Sequence, residues 1–255
     1  MINADDYLEL VEDWNDPYDP PIVELYDNVH VVRDDVLPAG SKMRFIDKLI
    51  RDTNCDEWVF GGSNKVGWGP ISLAYVCRKY NKSSTCFWAA RKEPTWHQQK
   101  YMEYGGRIEW VKMGMLNVTL SKAEQYRRES PKTRRTLPLG LEHDWVLGSI
   151  VKVAQSLPLV PDVIWTVGSS GTLNRGLQLA FPESEVHVIQ TGHKLDDRQI
   201  GRAKLWETAY KYDKPVKADE APPFPSAPEY DAKAWKVIKE NMDNSKTNLF
   251  WNVAA

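Results

Sequence analysis

Residues 163–181 read VIWTVGSSGTLNRGLQLAF. An apolar run enters a Gly/Ser/Thr turn and leaves it as a helical pattern. This is the joint of a parallel βα unit, and it commits its part of the chain to an open α/β sheet. The turn itself, Gly168, Ser169, Ser170, Gly171 and Thr172, has anion-binding chemistry. Glycine permits a tight backbone, the first N–H groups of the following helix lack internal partners, and the hydroxyls add donors. No lysine follows as in a triphosphate-binding loop, and the spacing departs from G-x-G-x-x-G.

The same alternation recurs along the chain. NVHVVRDD (28–35) alternates like a strand, and MRFIDKLIRDT places apolar residues at helical spacing. EWVF, SSTCFWAA and RIEWVKM read as strands, separated by helices PISLAYVCRKY and PTWHQQKYMEYGG. After a further helix, SPKTRRTLPLG (130–140) is basic and Pro/Gly-punctuated, and it reads as a domain crossing or loop. DWVLGSIVKVAQSL, the glycine-turn unit and strand EVHVIQTG follow. EAPPFPSAPEY is too proline-rich for regular structure. A helix from about Asp231 and a last strand, TNLFWNV, complete the pattern. The pattern predicts a large domain over 1–48 and 130–255 and a small α/β domain over 49–129.

Composition narrows the function classes. Hydrophobic residues are 42% and charged residues 27%, with net charge −2, so no global basic field exists to hold nucleic acid. Three cysteines without a C-x-x-C pair argue against a disulfide framework or structural zinc and fit a reducing cytoplasm. The acidic start is unlike a signal peptide, and no apolar run is long enough for a membrane span. His30, His97, His143, His187 and His193 show no metal-ligand spacing, and no metal is expected. Most of the eleven tryptophans are expected in the core or at a subunit interface.

Lys42 follows a turn containing Gly40 and opens a helix. The positive end of a helix lowers a lysine's pKa, and a more readily deprotonated amine is a better Schiff-base nucleophile. Pro21-Ile22-Val23-Glu24-Leu25, Arg33-Asp34-Asp35 and Ala39-Gly40-Ser41-Lys42-Met43-Arg44, followed at distance by the glycine turn, resemble the tryptophan-synthase-β-like (fold type II) pyridoxal-phosphate enzymes. The nearest branch is that of aminocyclopropane-carboxylate deaminase and D-cysteine desulfhydrase. The resemblance implies two three-layer α/β/α domains with mostly parallel sheets, pyridoxal 5′-phosphate in the cleft between them, and a homodimer. It implies that Lys42 carries the cofactor and that Gly168 to Thr172 hold its phosphate. Ser63 and Asn64 match the family's Ser-Asn loop for cofactor and substrate; Gly67, Trp68 and Gly69 match it by distance from the next helix. Tyr230, in APEYDAKAWKVI, corresponds to the active-site tyrosine. The family's Asp-Pro-x-Tyr-x-Gly-Lys segment is not found after Ile238. The ring-nitrogen partner is therefore assigned to Asn252 in the last strand, with Glu229 as a substitute. An amide there implies a weak electron sink, sufficient for elimination or replacement of a good β-leaving group but not for opening a cyclopropane.

Three functions follow from the resemblance. The first is a pyridoxal-phosphate-dependent lyase or deaminase acting on an amino acid through Lys42. The second is a compact viral enzyme that processes, for example by decarboxylation, an amino acid attached to a larger molecule such as a hypermodified DNA base, with Lys132, Arg134, Arg135 and exposed tryptophans contacting the partner. The third is a non-catalytic binding protein, disfavoured because that role requires neither Lys42 nor the glycine turn.

Overall fold

The computed structural model describes residues 3–62 and 65–255. The chain divides into two compact units, one comprising Met1–Phe45 and His143–Ala255, the other Ile46–Glu142. Each is built on its own sheet.

In the first unit, strands β1 (Val23–Tyr26), β2 (Val29–Arg33), β7 (Val163–Gly168), β8 (Glu185–Gln190), β9 (Lys204–Glu207) and β10 (Asn248–Asn252) form a six-stranded sheet in the order β1-β2-β10-β7-β8-β9. Only the β1–β2 pair is antiparallel in this sheet. The inner strands β7 and β10 are buried at every position. Such strands carry continuous apolar runs because helices cover both faces of a parallel sheet. Helix Asp144–Gln155 packs on helix Thr172–Ala180, where Gly176 lets them approach: a Cβ there would lie 2.4 Å from Ile150 Cγ2.

In the second unit, β3 (Glu57–Phe60), β4 (Ser83–Ala89), β5 (Arg107–Val111) and β6 (Arg134–Thr136) form a parallel sheet in the order β5-β4-β3-β6. Strand β6 lies within the stretch predicted to be a crossing or loop. Arg134 Nε donates to Glu57 Oε2 at 2.7 Å, and the Leu137 amide donates to the Val59 carbonyl, which sets the short strand against β3. The chain therefore returns to the first unit at His143 rather than at residue 130. Strands β1 and β9 were not predicted; both are four-residue edge strands without a buried position. The single helix predicted over MRFIDKLIRDT is two, Ser41–Phe45 and Asp47–Asp52. Among the described residues no helix is long and apolar enough to cross a membrane. Of the eleven tryptophans, seven are buried, including Trp14, Trp165 and Trp251 in the first unit.

The Arg-Asp-Asp and Lys-Met-Arg motifs meet in one buried polar knot. Arg44, 1% exposed, donates to Asp34 Oδ1 at 3.1 Å, to the Asp19 carbonyl at 2.9 Å, and to Asp16. Asp34 Oδ2 and Ser41 Oγ both accept from the Trp251 indole N–H, each at 3.1 Å. Removing one member leaves a buried charge uncompensated. Arg44→Ala is expected to cost about 3–5 kcal/mol of stability, read as a lowered urea midpoint. A midpoint equal to that of the parent chain would show that the knot is not structural.

Candidate active site

Lys42 sits on a turn held from behind. Gly40 has φ +69°, and a Cβ there would lie 2.7 Å from the Val253 carbonyl oxygen. That carbonyl accepts the Ser41 N–H at 2.9 Å. The Lys42 ammonium lies 5.5 Å from the centre of the Tyr230 ring. Burial pulls its pKa down, opposed by the negative charge of Asp231. The cause is thus desolvation rather than the helix end, since helix Ser41–Phe45 has only five residues.

Tyr230 links the lysine to the glycine turn. Its hydroxyl donates to the Val167 carbonyl at 3.2 Å and is hydrogen-bonded to Ser169. Burial and Asp231 push its pKa up, so it remains a neutral phenol. In the turn, β7 ends at Gly168, and Gly171, with φ +74°, precedes helix Thr172–Ala180. That helix has no acidic residue in its first turn. The two glycines also answer to packing. A Cβ on Gly171 would lie 2.5 Å from the Gln199 carbonyl oxygen, and one on Gly168 would lie 2.8 Å from Val188 Cγ2. A bulky residue at 171 would strike protein backbone before reaching any anion. Thr191, whose N–H donates to the Gly168 carbonyl, has a buried hydroxyl without a hydrogen-bond partner among the described residues.

Asp231 was not predicted as a site residue; it was read only as the start of a helix. It is fully buried in a 3₁₀ turn, Asp231–Lys233, beside Lys42. Oδ2 accepts the Ala254 N–H at 3.2 Å, and Oδ1 has no hydrogen-bond partner among the described residues. Burial raises its pKa, and Lys42 opposes the shift. Its loop is anchored by Lys233, which donates to the Lys211 and Tyr212 carbonyls, both at 2.9 Å.

Asn252, the residue expected to face the ring nitrogen, has protein partners for its side chain. The Asn252 amide is fully buried, accepts from Ser226 Oγ at 2.7 Å and donates to the Pro225 carbonyl at 2.8 Å. It is spent on holding the proline-rich loop. Glu229 is partly exposed, whereas Asp231 is the buried acid.

The remaining predicted residues belong to the second unit. Ser63 and Asn64 lie outside the described residues. Gly67 is the N-cap of helix Trp68–Lys79, Trp68 is 8% exposed, and Gly69 is partly buried near Phe60. Of the predicted residues, the first unit brings together Lys42, Tyr230 and the turn from Gly168.

No family model matches the sequence. The glycyl-dTMP PLP-dependent decarboxylase of Pseudomonas phage M6 is 25% identical over 253 residues, covering 85% of this chain and 88% of that protein. Among solved structures, an ACC deaminase homologue superposes with TM-score 0.78 at 14% identity, covering 97% of this chain and 94% of the other. Processed threonine deaminase isoform 2 from Solanum lycopersicum gives 0.73 at 11% identity, covering 99% and 89%. Serine racemase from Dictyostelium discoideum gives 0.68 at 12% identity, covering 99% and 96%. The fold is that of the fold-type II pyridoxal-phosphate enzymes.

The donor set fits that cofactor. A turn rich in N–H and hydroxyl donors suits a phosphate, a buried amine of lowered pKa suits an aldehyde, and a buried carboxylate with an unpaired oxygen suits a pyridine N–H. Each unit by which burial lowers an amine's pKa raises its neutral fraction about ten-fold. Brief treatment with pyridoxal phosphate and borohydride at neutral pH is therefore expected to label Lys42 ahead of the surface lysines. Peptide mapping that finds the mass first on another lysine would refute this.

Proposed function

We propose that the chain is a pyridoxal-phosphate-dependent decarboxylase acting on an α-amino acid carried on a nucleotide. One observation carries the cofactor assignment: Tyr230 joins the amine of Lys42 to the glycine turn, with the buried acid Asp231 next to it. The similarity to the phage glycyl-dTMP decarboxylase, over most of both chains, supports the reaction and substrate class.

In this reading Gly168 to Thr172 would hold the cofactor phosphate, Lys42 would carry its aldehyde, and Asp231 would be the acid available to its ring nitrogen. When bound, pyridoxal phosphate supplies the conjugated sink for the electron pair left at Cα. Beside a protonated ring nitrogen, Asp231 would be the carboxylate that balances its charge. Decarboxylation requires a proton to be delivered to Cα after the carboxylate has gone. Lys42 Nζ, beside Tyr230, is the group that delivers it. Its depressed pKa makes this delivery easier than from an ordinary lysine. Tyr230, neutral and tied to Val167 and Ser169, positions the lysine and excludes water.

A second reading, deamination or elimination on a free amino acid, is favoured by the same Lys42–Tyr230–Asp231 group and by the ACC deaminase homologue's fold. The two readings differ in the fate of nitrogen. Incubated with glycyl-dTMP and pyridoxal phosphate, the chain is expected to release CO2 and leave the amine on the nucleotide. Release of ammonia and a 2-oxo product, or turnover of free amino acids alone, would overturn the decarboxylase reading. Asp231→Asn is expected to lower kcat at least ten-fold, about 1.4 kcal/mol in the barrier, with KM little changed. It also removes the charge that holds the Lys42 pKa up, so the limb of the pH–rate profile assigned to Lys42 should move to lower pH. An unmoved limb with unchanged kcat would remove Asp231 from the mechanism.

A further inference from the structure

The loop after β9, residues 208–217, forms neither strand nor helix, so its backbone groups must find partners outside any ladder. Several of them lie on or near the segment that carries Tyr230 and Asp231. The Val216 N–H donates to the Pro228 carbonyl at 2.8 Å. The Tyr210 hydroxyl donates to Glu220 Oε2 at 2.6 Å and accepts the Lys217 N–H at 3.1 Å. The middle of the loop hangs on one side chain. Lys233 Nζ donates to the Lys211 and Tyr212 carbonyls, both at 2.9 Å.

Lys233 is buried and closes the 3₁₀ turn that begins at Asp231. Burial pulls its pKa down to about 8, the mark of an amine held away from water against its own preference. Glu229 and Asp213 are near enough to oppose that shift, yet the hydrogen bonds go to the two loop carbonyls. The amine thus fastens the loop to the turn that carries the buried acid.

Tyr212 shows what the tie positions. Gly192 has φ +97°, and a Cβ there would lie 2.8 Å from Tyr212 Cδ2 and 3.5 Å from Ser169 Cβ. The Tyr212 ring therefore packs on the Gly192 backbone, beside the glycine turn. Thr191, the residue before, joins the same place to the turn through its N–H on the Gly168 carbonyl, at 2.9 Å. The Tyr212 phenol is also close enough to Tyr230 to add to the upward shift of its pKa. One ring thus neighbours Ser169, Gly192 and Tyr230, all within the first unit.

We infer that Lys233 is a positioning residue of the cofactor site: it locks the 208–217 loop so that the Tyr212 ring closes the glycine turn on the side of Gly192. The inference rests on the cofactor reading proposed above and extends it to two residues that reading does not use. Lys233 acts through the loop, by two bonds to its backbone. Because it sits two residues after Asp231, the wall at the glycine turn and the buried acid share one anchor.

Limited trypsin digestion and cofactor binding test it together on the full chain. Lys211 is exposed in the middle of the loop, whereas Lys214 precedes Pro215 and resists trypsin, so the cut after Lys211 reports on the lock. Lys233→Met keeps the length of the side chain and removes its donors. It is expected to speed that cut about ten-fold or more. It is also expected to weaken pyridoxal-phosphate binding, followed by the visible absorption band, about ten-fold. Lys233→Arg, which keeps donors, should recover much of both. Tyr212→Ala leaves the two carbonyls in place, so it should weaken cofactor binding while the cut stays slower than in Lys233→Met. A merely structural lysine would lower the urea midpoint without singling out that cut. An unchanged cut in Lys233→Met, or a faster cut with unchanged cofactor binding, would overturn the inference. If Lys233→Met does not fold, Tyr212→Ala decides, with unchanged cofactor binding as the contrary result. Absence of the absorption band in the parent chain would overturn the cofactor reading instead, and the trypsin cut would still decide whether Lys233 holds the loop.

Discussion

Two residues after β10 hold the parts of the first unit's site in place. The Val253 carbonyl accepts the Ser41 N–H and sets the turn that presents Lys42. The Ala254 N–H donates to Asp231, and the Ala254 carbonyl accepts the Ala227 N–H at 2.7 Å, which fixes the loop carrying Tyr230. One extended segment thus bridges the lysine turn and the tyrosine–aspartate loop. Strand β10, buried at every residue and paired with β2 and β7, makes that segment rigid. Sites built on such elements hold their geometry better than sites built on free loops.

The arrangement has an electrostatic cost and a chemical use. A lysine and an aspartate are both desolvated, and each opposes the other's shift. A buried pair of this kind is weak evidence for stability and good evidence for function, because pKa values displaced by burial cluster where protons are moved. Stability comes instead from the polar knot in which Arg44 bonds Asp34, Asp16 and the Asp19 carbonyl while the Trp251 indole N–H bonds Asp34 and Ser41. The knot lies on the same short helix as Lys42, so the structural and chemical demands on residues 41–44 fall on alternate side chains.

Much of this was legible in the sequence. The strand–glycine–helix joint at 163–181 is local, and Lys42 and Tyr230 stood in recognisable surroundings. Asp231 was missed because its signal is not local: a Tyr-Asp pair after a proline-rich stretch looks like any helix start, and only the distant contacts with Lys42 and Ala254 give it a role. The contacts of Asn252 were hidden for the converse reason. Its place in the last strand suggested a ligand-facing amide, whereas side-chain contacts to Pro225 and Ser226 occupy it. Strand β6 was hidden by its own charges, since Arg134 is stabilised by Glu57 across the sheet rather than by apolar alternation. The tryptophans illustrate the same limit: composition announces eleven, but only packing separates the buried Trp251 from the exposed Trp96.

The central claim is that Lys42 and the Gly168–Thr172 turn hold the two ends of one cofactor molecule. A crystal structure of the chain grown with pyridoxal phosphate tests it most directly. The account predicts continuous density from Lys42 Nζ to a pyridine ring, with the ring nitrogen facing Asp231 and the phosphate against residues 168–172. A cofactor joined to another lysine, or a phosphate bound away from that turn, would contradict it.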